Sequence, residues 1–141
     1  MEQKKTHVLF VCFGNACRSI MAEAIARSDA GDVIEPASAG LYPLGEIPSH
    51  TREALLRNGY SAEGLASKPI APDAWKRADL VINMSGRMRE LEFEDYEKVE
   101  DWQVGDPYGE DSATYQKILE VIRGRVSGLA WQLRETQRSS A

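Results

Sequence analysis

Cysteine and histidine are scarce in this chain of 141 residues, which contains two of each. Two cysteines are too few for the disulfide framework that stabilises small secreted domains, so we expect the chain to fold through a hydrophobic core. The histidines, His7 and His50, stand outside any spacing that is typical of metal ligands. The sequence therefore predicts no metal site, and we expect no other cofactor.

Long apolar runs and an excess of basic residues are also lacking. No segment approaches the roughly 20 apolar residues of a membrane-spanning helix, and the apolar run after Lys4 and Lys5 is too short for the core of a signal peptide. The formal net charge of -5 disfavours nonspecific binding to nucleic acid. We therefore expect a cytoplasmic protein with free thiols, and neither a nucleic-acid partner nor a membrane span.

What the chain does contain is the pattern of one α/β domain. Hydrophobic residues make up 43% of the sequence, enough for one core, and no repeat or low-complexity linker divides it, so we expect a single domain over residues 1–141. Strand and helix patterns alternate, which favours a four-stranded parallel sheet with helices on both faces, in three layers. The predicted strands are 8–11, 33–34, 79–82 and 98–100, and the predicted helices are 20–27, 49–58, 72–77 and 112–135.

One segment, VLFVCFGNACRS at residues 8–19, carries the strongest functional signal. Its apolar start predicts a buried strand, and the residues after it predict a helix, so the loop between them lies at a helix N-terminus. Backbone N–H groups and the positive end of the helix dipole converge there, and a short loop can curl around one tetrahedral anion. The predicted phosphate-binding residues are Phe13, Gly14, Asn15, Ala16, Cys17 and Arg18.

The side chains of this loop suit nucleophilic attack on the bound anion. Arg18 can form two parallel charge-assisted hydrogen bonds to phosphate oxygens, a geometry that lysine cannot reproduce. The same positive field favours the thiolate of Cys12, which is the nucleophilic form, and the hydroxyl of Ser19 can donate a hydrogen bond to it. In the alternative interpretation, Cys12 is a small buried hydrophobic residue, Arg18 is a surface charge, and Gly14 and Asn15 form an ordinary turn.

With these residues, the chain resembles the low-molecular-weight protein tyrosine phosphatase family, which also contains bacterial protein arginine phosphatases and thioredoxin-linked arsenate reductases. The likeness spans nearly the whole chain. Residues 8–23 resemble the family's phosphate-binding loop and first helix, 38–40 its turn after the second strand, 78–84 its third strand, and 101–109, with the run Asp-Pro-Tyr-Gly, its acid loop. The resemblance implies that the phosphate-binding loop follows strand 1 and that Cys12 forms a phosphocysteine intermediate.

The resemblance also implies that Asp106 is the general acid. A carboxylic acid that protonates the leaving atom contributes about 10²- to 10⁴-fold to such a reaction, and the resulting carboxylate can then activate water. Taken without the resemblance, Asp106 and Pro107 are equally well explained as a surface turn. The predicted catalytic residues are therefore Cys12, Arg18 and Asp106, with Ser19 in a supporting role.

Apolar walls above the phosphate-binding loop are expected to hold an aromatic ring. The candidates are Phe13, Leu41, Tyr42 and Tyr108, and the resemblance places Phe13 and Tyr108 at the entrance. Cys17, five residues after Cys12, has two interpretations that stay open. It either protects Cys12 through a reversible disulfide or packs beneath the loop.

The loop does not declare which phosphorylated group is cleaved. Ala16 stands where tyrosine phosphatases of this type usually carry isoleucine and arginine phosphatases carry threonine, and Ile20 replaces the usual proline. We predict a protein tyrosine phosphatase, a monomer or weak dimer, that acts on phosphorylated proteins or peptides. The alternatives are a protein arginine phosphatase and, less favoured because no cysteine follows Cys17, an arsenate reductase that uses an external thiol. The intact Cys12, Arg18 and Asp106 count against a silent phosphate-binding module.

Overall fold

The computed structural model describes residues 4–140, which form a parallel sheet with helices on both faces. Its strands lie in the order β2-β1-β3-β4, and all three pairings between neighbours are parallel. The predicted α/β fold with a four-stranded parallel sheet is therefore confirmed. The elements are β1 (Thr6–Cys12), α1 (Arg18–Asp29), β2 (Ile34–Gly40), α2 (Ser49–Arg57), α3 (Pro72–Arg77), β3 (Leu80–Asn83), α4 (Arg89–Glu92), a 3₁₀ turn (Tyr96–Lys98), β4 (Val99–Asp101) and α5 (Ser112–Ser140).

The central strand β1 is buried on both sides, which explains why its sequence is a continuous apolar run. Side chains alternate along a strand, so Val8 and Phe10 pack against α1, α2 and α5, whereas Leu9 and Val11 belong to a second cluster on the other face. That second face is covered by Trp75 of α3, whose ring stacks on Phe93 at 5.5 Å between centroids. The carboxyl end of β1 is thereby fixed between two packed layers.

Helix α5 closes the first layer with a stripe of apolar residues at helical spacing. The buried members are Tyr115, Leu119, Ile122, Val126 and Leu129. The helix runs to Ser140 instead of ending near residue 135 as predicted. Polar contacts hold its last turns, since Arg134 binds Asp32 with two hydrogen bonds of 2.8 Å and Gln137 donates to the Lys4 carbonyl. No helix in the described part of the chain combines the length and the apolar character that a membrane span requires.

The second strand differs most from its prediction. Residues 38–40, expected to form a turn, belong to β2, which pairs with β1 from Thr6 opposite Ile34 to Cys12 opposite Gly40. Pro36 is compatible with this strand because β2 lies at the edge of the sheet. The strands β3 and β4 each begin and end one residue later than predicted, and α4 and the 3₁₀ turn were not predicted. The correction to β2 matters because it puts Gly40 directly beside Cys12.

Candidate active site

Residues 13–17 turn from the end of β1 to the start of α1, and three of their carbonyl oxygens accept hydrogen bonds from other segments. The Phe13 oxygen accepts a hydrogen bond from the Tyr42 N–H at 2.8 Å, and the Gly14 oxygen accepts one from the Leu44 N–H at 2.9 Å. The Ala16 oxygen accepts a third from the Thr51 hydroxyl at 2.9 Å. In a trans peptide unit, the N–H of one residue points opposite to the carbonyl of the residue before it. The N–H groups that follow these three carbonyls are therefore turned away from the surrounding segments.

Asn15 forms the sharpest point of this turn. Its backbone has φ 48°, in the left-handed region that asparagine adopts more readily than most residues. The buried side chain donates from Nδ2 to the Ser19 hydroxyl at 2.7 Å and accepts from the Lys68 N–H at 2.9 Å. Asn15 therefore links the loop both to α1 and to the segment after α2.

The loop also lies directly against β2. A Cβ atom built on Gly40 would lie 2.8 Å from the Asn15 nitrogen and 2.9 Å from the Gly14 carbonyl carbon. Only glycine fits at this position, because a side chain would meet the backbone of Gly14 and Asn15 and the Asn15 Cβ atom, none of which can move by a change of rotamer. The glycine at the end of β2 thus lets the loop curl tightly over Cys12.

Cys12 is buried at the base of the loop, with its sulfur 3.0 Å from the Ser19 oxygen. Because Asn15 already donates to that oxygen, the hydroxyl hydrogen of Ser19 is free to point at the sulfur. Ser19 therefore lies within hydrogen-bond distance of the Cys12 sulfur, and its supporting role in catalysis stays a prediction.

Arg18 spans the mouth of the loop. Its Nη1 donates to the carbonyl oxygens of Met84, after β3, and of Val104, after β4. Its Nη2 lies 3.5 Å from Oδ2 of Asp106, and its Nε is buried without a hydrogen-bond partner among residues 4–140. A buried donor without a partner is costly, so the edge formed by Nε and Nη2 is suited to donate two hydrogen bonds to an oxyanion.

Asp106 reaches the same site from the loop after β4. Its side chain is 51% exposed, and Oδ1 accepts a hydrogen bond from the Tyr108 N–H at 3.1 Å. Cys12, Arg18 and Asp106, distant in sequence, line one pocket of about 220 Å³. A thiol, a guanidinium and a half-exposed carboxyl group therefore face the same volume.

Three of the four predicted wall residues line this pocket, namely Phe13, Tyr42 and Tyr108. The Phe13 and Tyr42 rings are in contact, with centroids 5.1 Å apart. Leu41 does not line the pocket, because it packs against the second core cluster on the other face of the sheet. Leu44 takes its place.

Cys17 lies beneath the loop as well as on the pocket wall. Its sulfur is 3.5 Å from the hydroxyl of Tyr115, and both cysteines are free thiols. Burial raises the pKa of the Cys17 thiol, and hydrogen bonds to Thr51 and Tyr115 partly oppose this. Burial, followed by the hydrogen bond to Cys17, raises the pKa of Tyr115. The packing interpretation therefore describes this structure, whereas a disulfide with Cys12 stays a prediction.

Comparison with known proteins gives this geometry a context. The family described as low molecular weight phosphotyrosine protein phosphatase matches residues 7–139. A protein-arginine-phosphatase of Bacillus subtilis is 32% identical, over 93% of this chain and 99% of that protein. Arsenate reductase 1 of Bacillus cereus is 31% identical, over 92% and 97%. The crystal structure of a low molecular weight protein tyrosine phosphatase from T. tengcongensis is 32% identical, with a TM-score of 0.81 over 92% of this chain and all of that one.

Proposed function

Because this chain belongs to the low molecular weight phosphotyrosine protein phosphatase family, we propose that it hydrolyses phosphotyrosine in proteins or peptides through a phosphocysteine intermediate. The observation that carries the proposal is the convergence of Cys12, Arg18 and Asp106 on one pocket with aromatic walls. The proposed enzyme is one domain over residues 1–141, in a reducing cytoplasm that keeps Cys12 as a thiol.

The first step transfers the phosphoryl group to sulfur. The thiolate of Cys12 attacks phosphorus, the bond from phosphorus to the phenolic oxygen breaks, and that oxygen takes a proton from Asp106. Arg18 and the N–H groups of residues 13–18 stabilise the charge on the three equatorial oxygens. Burial of the Arg18 side chain strengthens this interaction relative to one in water.

The second step hydrolyses the phosphocysteine and regenerates the free thiolate of Cys12. Asp106, now a carboxylate, removes a proton from a water molecule whose oxygen attacks phosphorus, and the bond from sulfur to phosphorus breaks. The departing thiolate is stabilised by Ser19, whose oxygen Asn15 holds at 2.7 Å. The exposed position of Asp106 suits this step because solvent water reaches it.

The walls of the pocket favour an aromatic leaving group. Phe13, Tyr42 and Tyr108 offer ring faces and edges, and Leu44 and Ala16 add apolar surface without a hydroxyl group. Contact between these apolar side chains and a phenyl ring favours binding, whereas a guanidinium group needs polar partners for its N–H groups. Phosphotyrosine is therefore our first candidate.

Phosphoarginine is the second candidate, and a specific observation supports it. The half-exposed carboxylate of Asp106 is the kind of group that could accept hydrogen bonds from a substrate guanidinium. A relative that covers 93% of this chain is a protein-arginine-phosphatase. Arsenate reduction, the activity named for another relative, would need an external thiol here because the sequence has no cysteine after Cys17.

Hydrolysis of a chromogenic aryl phosphate tests the proposal. A rapid burst of phenol followed by slower turnover is expected, because the phosphocysteine accumulates when its hydrolysis is the slower step. Cys12→Ser is the control, and activity that survives in it would exclude Cys12 as the nucleophile. Parallel assays with phosphotyrosine and phosphoarginine peptides then rank the substrates. A large preference for phosphoarginine would replace our first candidate with the second.

A further inference from the structure

Helix α5 has an exposed face opposite its buried stripe. Six residues recur along it at alternating intervals of four and three, so they lie on nearly one line of the helix. They are Lys117, Val121, Gly124, Gly128, Trp131 and Glu135, and we call them the α5 face. We propose that the α5 face binds the same face of a second copy of this chain, with the two helices antiparallel, in a weak two-fold symmetric dimer.

Within one copy of the chain, nothing among the described residues requires glycine at the two central positions of the α5 face. A Cβ atom on either Gly124 or Gly128 would meet no described atom within 4 Å apart from the backbone of its own helix, and neither has a positive φ. Glycine in the interior of a helix is less stable than alanine, so the fold itself would favour alanine at both positions. Glycine does, however, allow another backbone to approach closely, and a second α5 helix crossing here would use that space.

Apolar side chains flank the glycines on each side. Trp131 is 64% exposed and Val121 is 46% exposed. Polar residues at these two positions would not destabilise a monomer, so its folding does not require apolar side chains there. Tryptophan is enriched among the residues that contribute most to binding between proteins. The two side chains thus add apolar contact area to both ends of the glycine pair.

The order of the residues along the α5 face indicates that the partner is a second copy of this chain and that the two α5 helices run antiparallel. The α5 face is centred on position 126, so a two-fold axis there sets Gly124 against Gly128, Val121 against Trp131 and Lys117 against Glu135 of the second copy. Each end of the pair then brings opposite charges together. Parallel helices would instead place Lys117 against Lys117. The pattern therefore complements itself only in the antiparallel arrangement.

The strength of the dimer follows from the size of the contact. Lys117 and Glu135 are about 27 Å apart along the helix, so one helix pair makes an interface at the small end of the known range. Glu135 also lies 3.2 Å from Arg138, but such an exposed pair contributes little and can be exchanged for Lys117 of a second copy. We therefore expect dissociation in the micromolar to millimolar range, with each chain carrying a complete pocket.

Sedimentation velocity over a concentration series from about 1 μM to 1 mM tests the proposal. Wild type should pass from monomer to dimer, and Trp131→Ala should weaken association at least tenfold. Lys117→Glu alone and Glu135→Lys alone should each raise the dissociation constant about tenfold. An equimolar mixture of these two variants should restore association, because both end pairs of the mixed dimer again carry opposite charges. Lys76→Glu, the same charge reversal on α3, is the matched control and should change nothing.

Three outcomes would overturn the proposal. One is a wild type that stays monomeric over the whole series, which would leave this face to a different partner. Another is a mixture of the two charge variants that associates no better than either variant alone. The third concerns Gly124→Ala, which should raise the thermal stability of the dilute monomer and weaken association; unchanged association would refute the close approach of the helices. None of these results depends on the proposed enzymatic activity.

Discussion

Substitution of Gly40 by alanine tests the link between β2 and the phosphate-binding loop. The added Cβ atom would lie 2.8 Å from the Asn15 nitrogen, whereas ordinary contact begins at 3.4 Å. The loop must therefore retreat by about 0.6 Å, and it cannot do so by a change of rotamer, because the atoms in the way are backbone atoms of Gly14 and Asn15 and the Asn15 Cβ. Such overpacking should lower the free energy of unfolding by about 1–3 kcal/mol.

The effect on catalysis should exceed the effect on stability. The displaced atoms lie between Cys12 and Arg18, and a displacement of about 1 Å in a reacting site can cost roughly 10²-fold in rate. We expect kcat/KM for an aryl phosphate to fall about 10- to 100-fold for Gly40→Ala. Inorganic phosphate should raise the thermal stability of wild type through binding to the folded state, and should raise that of the variant less.

Urea unfolding and aryl phosphate kinetics, each compared with Gly124→Ala, make the test specific. Gly124 lies on the exposed face of α5, and its added Cβ would meet no described atom within 4 Å apart from the backbone of its own helix, so alanine there should slightly stabilise the dilute protein and leave kcat/KM unchanged. If Gly40→Ala unfolded at the wild-type urea concentration with wild-type kcat/KM, the loop would not depend on this contact. The account of how β2 shapes the site would then be wrong.

Three further predictions concern the acid, the pocket wall and the surface. Asp106→Asn should reduce kcat about 10²- to 10⁴-fold for an alkyl phosphate, and much less for a nitrophenyl phosphate whose leaving group needs no proton; equal losses would refute the general acid. Leu44→Ala should raise KM for aryl phosphates several-fold at unchanged stability, whereas Leu41→Ala should lower stability at unchanged KM. Kinetics and urea unfolding of both variants measure these effects, and the reversed pattern would refute the two assignments. Hydrogen bonds from Arg134 lower the pKa of Asp32 below its usual 3.8, so this pair stabilises the fold above that pH and loses its effect as the pH falls further. Arg134→Gln should therefore destabilise by a few tenths of a kcal/mol at neutral pH and by less in acid, as measured by urea unfolding at both values; an equal loss in acid would contradict this.

The sequence was informative wherever long periodic segments or a compact motif carried the signal. Strand β1 is a continuous apolar run and helix α5 has apolar residues at helical spacing. Each pattern favours one kind of secondary structure, so both elements were predictable. A loop at a helix N-terminus was predictable because strand, glycine turn and helix follow one another without a gap, although β1 extends to Cys12 and α1 begins at Arg18, two residues earlier than predicted. Local patterns of this kind do not need knowledge of distant contacts.

The remaining features depend on such distant contacts. Pro36 and the small residues that follow it look like the end of a strand, yet pairing with β1 extends β2 to Gly40. Leu44 reaches the pocket because its N–H donates to the Gly14 carbonyl, a contact that no pattern within residues 41–48 encodes. The short helix α4 is only four residues long and has no periodicity to detect.

Arg18 contacts three separate segments of the chain, and its positive charge alone does not explain these contacts. Its Nη1 connects the end of β3, through Met84, with the loop after β4, through Val104, while its Nη2 faces Asp106. A lysine ammonium group carries the same charge, but it cannot present parallel donors to an oxyanion while also bonding to both carbonyls. The planar guanidinium therefore ties the loop that carries Asp106 to the end of β3, and in the proposed mechanism the same rigid side chain would serve both phosphate binding and leaving-group protonation.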